Sequence, residues 1–232
     1  MKSKNLLLLH GALGSKDQLA ALEKELKTNY SVHLINFEGH GDIATSNDFS
    51  IELFTKNVIT YLQDHKIEST HIFGYSMGGY VALNLAIQHP ERVESIVTFG
   101  TKFNWNAATA TKEVKMLDPK LIEERVPKFA EHLNRVHQIS DWKHVLSKTA
   151  KMMIDLGNKP TLTDKELSKI NHPVLISIGD QDNMVTIDES MNTATYLKNG
   201  DIHILEGFKH PIEKNDLVVL AKNIHHFIEK HN

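Results

Sequence analysis

The 232-residue sequence predicts an α/β fold, a mostly parallel sheet flanked by helices. Three observations predict it. Short apolar or β-branched runs alternate with longer segments of helical period. Several runs are apolar throughout instead of alternating, as strands covered on both faces are. The rhythm breaks once, between about Thr101 and Lys169, where helical patterns continue without a strand.

The first strand is read at residues 5–9. Its leucine run, Leu6 to Leu9, is shorter than the roughly 7–15 apolar residues of a secretory leader, and His10-Gly11 ends it. A buried N-terminal strand is therefore expected. A helix over 16–27 leads to a strand at 31–36. In the next helix, 51–66, Phe54, Val58, Tyr61 and Leu62 share one face at helical spacing. A strand at 71–75 runs into a helix over 77–89, where Gly78, Gly79, Ala82 and Ala86 keep one side small enough for close packing on a sheet. The strand at 94–99 precedes the break. Within the break, helices are read at 121–135 and 141–156, and Trp105, Trp142 and the pair Met152-Met153 stand out. Helices inserted between two sheet strands read as a cap over the sheet's carboxyl edge. The expected division is a core of residues 1–100 and 170–232 and a helical cap of 101–169. Strands at 174–178 and 201–205, with helices at 188–198 and 214–230, complete the core. No repeat or low-complexity segment occurs.

Composition narrows the function. A formal net charge of -3 gives no broad basic field, so nucleic acid and anionic membrane surfaces are not expected partners. Arginine occurs only at Arg92, Arg125 and Arg135, leaving few bidentate clamps for phosphate or carboxylate. Cysteine is absent, which excludes disulfides and thiolate metal sites. Nothing approaches the roughly 18 apolar residues of a membrane span, and a cytoplasmic location is the expectation. His225, His226 and His231 near the C-terminus read as the solvated end of a helix before they read as a metal cluster.

The sharpest signal is Gly74-Tyr75-Ser76-Met77-Gly78-Gly79, a G-x-S-x-G between a strand and a helix. The bare pattern is expected roughly 0.03 times by chance in such a composition, so its context carries the weight. A serine in a sharp strand-to-helix turn is strained, and flanking glycines relieve the clashes. The turn lifts Oγ clear of the backbone beside a helix N-terminus, whose free N–H groups favour developing negative charge. Attack of that oxygen on a carbonyl creates an oxyanion needing at least two donors. The backbone N–H of Met77 is one candidate. The N–H of Ala12, in the loop His10-Gly11-Ala12-Leu13-Gly14-Ser15 after the first strand, is the other.

A neutral serine needs a base, and the base an orienting group. The strand at 174–178 runs into Gly179-Asp180-Gln181-Asp182, and the strand at 201–205 into Glu206-Gly207-Phe208-Lys209-His210. Both put chemistry-bearing side chains at the carboxyl ends of strands, where sites of open α/β sheets gather. Among 15 histidines, His210 is singled out by chain order after serine and acid and by following a strand at once. Either Asp180 or Asp182 fits the acid on these grounds.

Together these segments resemble the α/β-hydrolase superfamily along essentially the whole chain outside the 101–169 insert. His10–Gly14 matches the family's H-G-x-x-G loop, Gly74–Gly78 its nucleophile elbow, and Gly179–Asp182 and Gly207–His210 its G-x-x-D and G-x-x-H elements. The resemblance implies an α/β-hydrolase fold with a helical cap and selects Asp182 over Asp180. His40 in Phe37-Glu38-Gly39-His40-Gly41 matches a family loop that is usually structural. Several features depart from the pattern. The leading hairpin is missing, so about six strands are expected. Asn36 stands where many relatives have Asp, and Lys209 precedes the histidine, implying a more cationic entrance. The serine nucleophile argues against the epoxide hydrolases and haloalkane dehalogenases of the superfamily.

The expected function is hydrolysis of a small or medium, largely apolar carboxylic ester through a Ser76–His210–Asp182 triad and an acyl-enzyme. The oxyanion hole comes from Ala12 and Met77, and Tyr75, Trp105, Met152 and Met153 are the candidate pocket residues. No cofactor or metal is implied, the expected partner is the small-molecule ester, and oligomeric state is not legible. Two alternatives stay open. One is a carbon–carbon bond hydrolase, or a pyruvate-eliminating synthase like that of menaquinone biosynthesis, which prefers an arginine where this chain has Tyr80. The other is a ligand sensor that retains the triad.

Overall fold

The computed structural model describes residues 4–231. The strands β1 (Lys4–Leu9), β2 (Tyr30–Leu34), β3 (Thr70–Tyr75), β4 (Val93–Phe99), β5 (Pro173–Gly179) and β6 (Asn199–Leu205) form one sheet in the order β2-β1-β3-β4-β5-β6. Every neighbouring pair is parallel. The helices are α1 (Ala20–Leu26), α2 (Ile51–Asp64), α3 (Met77–Gln88), α4 (Ala107–Val114), α5 (Pro119–Arg125), α6 (Pro127–Val136), α7 (Trp142–Asn158), α8 (Asp164–Leu167), α9 (Ile187–Tyr196) and α10 (Leu217–Lys230). Helices α4 to α8 all lie between β4 and β5.

The leucine run of β1 shows how the sheet is covered. Side chains alternate across a strand, so Leu7 and Leu9 enter one core cluster with Phe54 and Val58 of α2 and Val81 of α3. Leu6 and Leu8 enter the opposite cluster with Leu22 and Leu26 of α1 and Leu220 and Ile224 of α10. All four leucines are fully buried, each worth roughly 1.5–3 kcal/mol by transfer from water. Helix α3 is buried along almost its whole length, and its mostly small and apolar sequence suits that place, with buried Asn84 donating to Thr55 Oγ1. Helix α2 starts cleanly because the Ser50 side chain accepts from the Leu53 N–H, and Asp216 does the same for α10 with Val218 and Val219.

The insertion holds two surprises. The segment 121–135, expected as one helix, is two, α5 and α6, broken at Val126-Pro127. Proline cannot donate to the preceding turn and pushes the residue before it out of the helical region, so Val126 adopts φ -138° and ψ 57° and Pro127 opens the next helix. Helix α4 carries only alanines and Val114 on its apolar side, so nothing large announces it. The inserted helices share a small core of Ile122, Ala130, Leu133, Trp142 and Leu146. Another side of α7, with Val145, Met152 and Leu156, joins the main core. The insertion is thereby fixed to the sheet domain by apolar packing.

The strand order reverses between β2 on one side of β1 and β3 on the other. Loops leaving the carboxyl ends of β1 and β3 diverge there and open a crevice. Among the described residues no helix is long and apolar enough to cross a membrane.

Candidate active site

Ser76 sits at the bottom of that crevice, between the end of β3 and the start of α3, with φ 51° and ψ -116°. A left-handed non-glycine residue of this kind is strained by roughly 1–3 kcal/mol and persists only where its surroundings hold it. Here the Ser76 N–H donates to the Phe99 carbonyl at 2.8 Å, and its carbonyl accepts from Thr101 Oγ1 at 2.9 Å. A Cβ on Gly74 would strike the Gly79 backbone, and one on Gly78 the Leu9 carbonyl, so both flanks of the turn demand glycine.

The loop after β1 closes with the Gly14 N–H donating to the Gly11 carbonyl at 3.2 Å, and Leu13 takes a positive φ of 61°. Ala12 heads this turn and lines the same cavity as Ser76. Met77 is the first residue of α3, so its N–H has no partner within the helix.

His210 lies at that cavity too, 7% exposed. Its Nδ1 is 2.8 Å from Asp182 Oδ2, and the Asp182 side chain is fully buried. The other carboxylate oxygen accepts from the N–H groups of Met184 and Val185 at 2.8 and 2.9 Å. Burial pushes the Asp182 carboxyl up, but the hydrogen bond and charge attraction of His210 and the two amide donors outweigh it and hold it below the ordinary carboxylate value. An ionised carboxylate only accepts, so Nδ1 carries the proton and Nε2 is left as the basic nitrogen. Asp180 does different work: its Oδ1 accepts from the Gly207 N–H at 2.7 Å and staples the turn leading to His210.

Of the pocket residues expected from sequence, Trp105, Met152 and Met153 line the cavity. Tyr75 does not. It is buried beneath His210, its hydroxyl donating to the His210 carbonyl at 3.0 Å and its ring stacked on Phe99. Strand alternation explains this: Tyr75 shares the face of Phe73, away from the glycine face that meets α3. Lys209, expected to make the entrance cationic, is exposed and outside the cavity lining. Asn36 ties loops together, accepting from the Lys16 N–H and donating to Asp42, both at 2.6 Å.

Two neighbours at the end of β4 carried no sequence signal. Gly100 has φ 62°, and a Cβ there would lie 3.3 Å from both Asp182 Oδ2 and His210 Nδ1. The His–Asp pair rests on that bare backbone. Thr101 supplies the hydroxyl that pins the Ser76 turn.

Behind the β1 loop lie three buried histidines. His10 Nδ1–H donates to the Gly11 carbonyl at 2.8 Å while Nε2 accepts from the Phe37 N–H at 3.3 Å. His137, at the end of α6, donates from Nε2 to the Leu13 carbonyl at 2.9 Å and accepts at Nδ1 from the Gly41 N–H at 3.1 Å. His40 sits between them, its ring stacked on Phe49 and 5.8 Å from that of His137. These partners fix neutral tautomers. Burial pushes His10 down to about 4, drives His40 well below the ordinary histidine value and lowers His137. His137 thus links the insertion to the loop carrying Ala12. The C-terminal histidines do not converge: His225 bonds to Tyr30, and His231 packs on Phe227. No group of three metal-ligating side chains is present among the described residues.

Comparison with known proteins gives a consistent picture. A family model described as alpha/beta hydrolase fold matches residues 4–150. A candidate esterase/lipase of Haemophilus influenzae is 23% identical over 97% of this chain and 83% of its own length. Among solved structures, NosK from Streptomyces actuosus superposes with a TM-score of 0.84 at 15% identity, covering 99% of both chains. MenH from S. aureus superposes at 0.77 with 23% identity, covering 100% of this chain and 95% of its own.

Proposed function

The chain belongs to the alpha/beta hydrolase fold family, and from that premise we propose that it is a serine hydrolase cleaving carboxylic esters, with Ser76, His210 and Asp182 as its catalytic triad. The observation that carries this reading is the buried Asp182–His210 hydrogen bond of 2.8 Å beside a strained Ser76 on the same cavity. His210 Nε2 takes the proton of Ser76 Oγ as that oxygen attacks the ester carbonyl. The carbonyl oxygen becomes an oxyanion held by the N–H groups of Ala12 and Met77, with the α3 N-terminus adding its field. His210 returns the proton to the leaving alcohol, and the buried Asp182 carboxylate stabilises the imidazolium formed in between. Water then enters by the same route and releases the acid. The insertion acts as the cap: Trp105, Met152 and Met153 form the roof of an apolar chamber suited to a small or medium acyl chain. The similarity to a candidate esterase/lipase supports the same class of substrate.

The synthase-like alternative needs a cation beside the elbow. Tyr80 occupies that position and spends its hydroxyl on the Leu162 N–H at 2.9 Å, which favours the ester reading. The test is turnover of p-nitrophenyl esters together with labelling by a fluorophosphonate. Turnover with labelling lost in Ser76→Ala is the expected result. Labelling without turnover points to the sensor, and pyruvate release from the menaquinone precursor points to the synthase.

A further inference from the structure

The helical insertion grips the loop that carries Ala12 at two points. Leu13, partly buried, packs its side chain against the apolar core that the inserted helices share. Its carbonyl accepts from His137 Nε2–H at 2.9 Å, and His137 directly follows α6.

The backbone of this loop needs holding. Leu13 stands at φ 61°, and a bulky side chain stays in that region only where its surroundings fix it. The peptide before it is tied from within the loop: the Gly11 carbonyl accepts from His10 Nδ1–H at 2.8 Å and from the Gly14 N–H at 3.2 Å. A trans peptide is planar, so the Ala12 N–H points the opposite way from that carbonyl. The same stretch runs against the nucleophile, since a Cβ on Gly11 would lie 3.3 Å from the Ser76 Cβ. The bond from His137 fixes the following peptide, Leu13–Gly14, and with it the far end of the turn.

His137 is itself immobilised. It is 2% exposed, and its Nδ1 accepts from the Gly41 N–H at 3.1 Å in the loop after β2. Its ring stands edge-on to that of His40, 5.8 Å away. Resting on the ester-hydrolase reading, we propose that His137 is a positioning residue for the oxyanion hole, through which the insertion sets the direction of the Ala12 N–H. It acts through Leu13. An oxyanion donor matters most as charge develops, so its misplacement lowers kcat and leaves substrate binding alone. A role confined to packing the insertion would instead show in KM.

Two substitutions separate the two bonds of the imidazole. The Gln amide nitrogen reaches the place of Nε2 and can donate to Leu13. The shorter Asn reaches only the place of Nδ1, where it can accept from Gly41. On a p-nitrophenyl ester, His137→Asn should lower kcat by about tenfold while KM stays within about twofold of the native value. His137→Gln should restore most of kcat, and the rate of fluorophosphonate labelling should follow the same order. Should His137→Asn not fold, His137→Phe, which keeps a ring but neither bond, takes its place with the same expectation. His225→Phe, which gives up a bond to Tyr30 at the start of β2, should leave kcat alone. Unchanged kcat in His137→Asn, an effect confined to KM, or equal loss in the Asn and Gln variants overturns the proposal. Failure of the native protein to turn over any ester would sink the hydrolase reading alone, because amide NMR follows the loop without substrate. Ala12 and Leu13 signals that shift in His137→Asn and hold in His137→Gln uphold the positioning, and signals unmoved in both overturn it.

Discussion

At the scale of single residues, the two aspartates near the end of β5 make the sharpest contrast. The Asp182 carboxylate touches His210, whereas that of Asp180 accepts from the Gly207 N–H. Asp182→Asn can no longer hold Nδ1 protonated, and kcat/KM on an activated ester should fall by roughly 10³-fold or more with little change in Tm. Asp180→Asn should cost less than about tenfold in activity and roughly 1 kcal/mol in stability, measured by urea unfolding. A crippling effect at Asp180 instead would mean the wrong acid has been named. Gly100→Ala forces a Cβ into the left-handed region and against the His–Asp pair. It should reduce kcat by at least about tenfold, and a crystal structure should show His210 displaced. Ser76, Asp182 and His210 were legible as candidates because each follows a strand within a recognisable glycine pattern. Gly100 and Thr101 were not, since a Gly-Thr pair after a strand reads as an ordinary loop and their roles arise only from what folds against them. Tyr75 was misread as a pocket residue although strand alternation with Phe73 already placed it on the other face.

At the scale of elements, the strands were legible to within two residues because runs apolar on both faces have few other fates. Helix boundaries were less so. Pro127 itself marks the break between α5 and α6, whereas α4 carries only alanines and one valine on its apolar side. The histidines joining the β1 loop, the loop after β2 and α6 make a prediction about acid. His10, His40 and His137 have folded-state values below that of an unfolded histidine, so the unfolded chain takes up their protons first. Their stabilisation is complete above the ordinary value of ~6.5 and is lost as pH falls below it, for His10 down to about 4. For His10 the loss should be on the order of 1 kcal/mol per pH unit within that window. Thermal unfolding across pH 7 to 4 measures it. His137→Gln should flatten part of the slope, and an unchanged slope would remove this residue from the account. Activity also falls on the acid side because the base must be neutral, so kcat/KM should be read only where Tm shows the chain folded.

At the scale of the whole molecule, a parallel sheet whose strand order reverses beside β1 brings distant loops to one crevice, and residues of the helical insertion line it. Exchanging residues 101–169 for another insertion should change acyl-chain preference while fluorophosphonate labelling of Ser76 persists. Unchanged preference would deny the insertion its role as roof. The proposed chemistry requires Ser76 to form an acyl-enzyme, and mass spectrometry of protein quenched during turnover of a slowly deacylating ester measures this directly. The expected result is one acyl group per chain, located on the peptide containing Ser76 and absent from Ser76→Ala. Turnover that survives in Ser76→Ala, or an acyl group found on another residue, would contradict it.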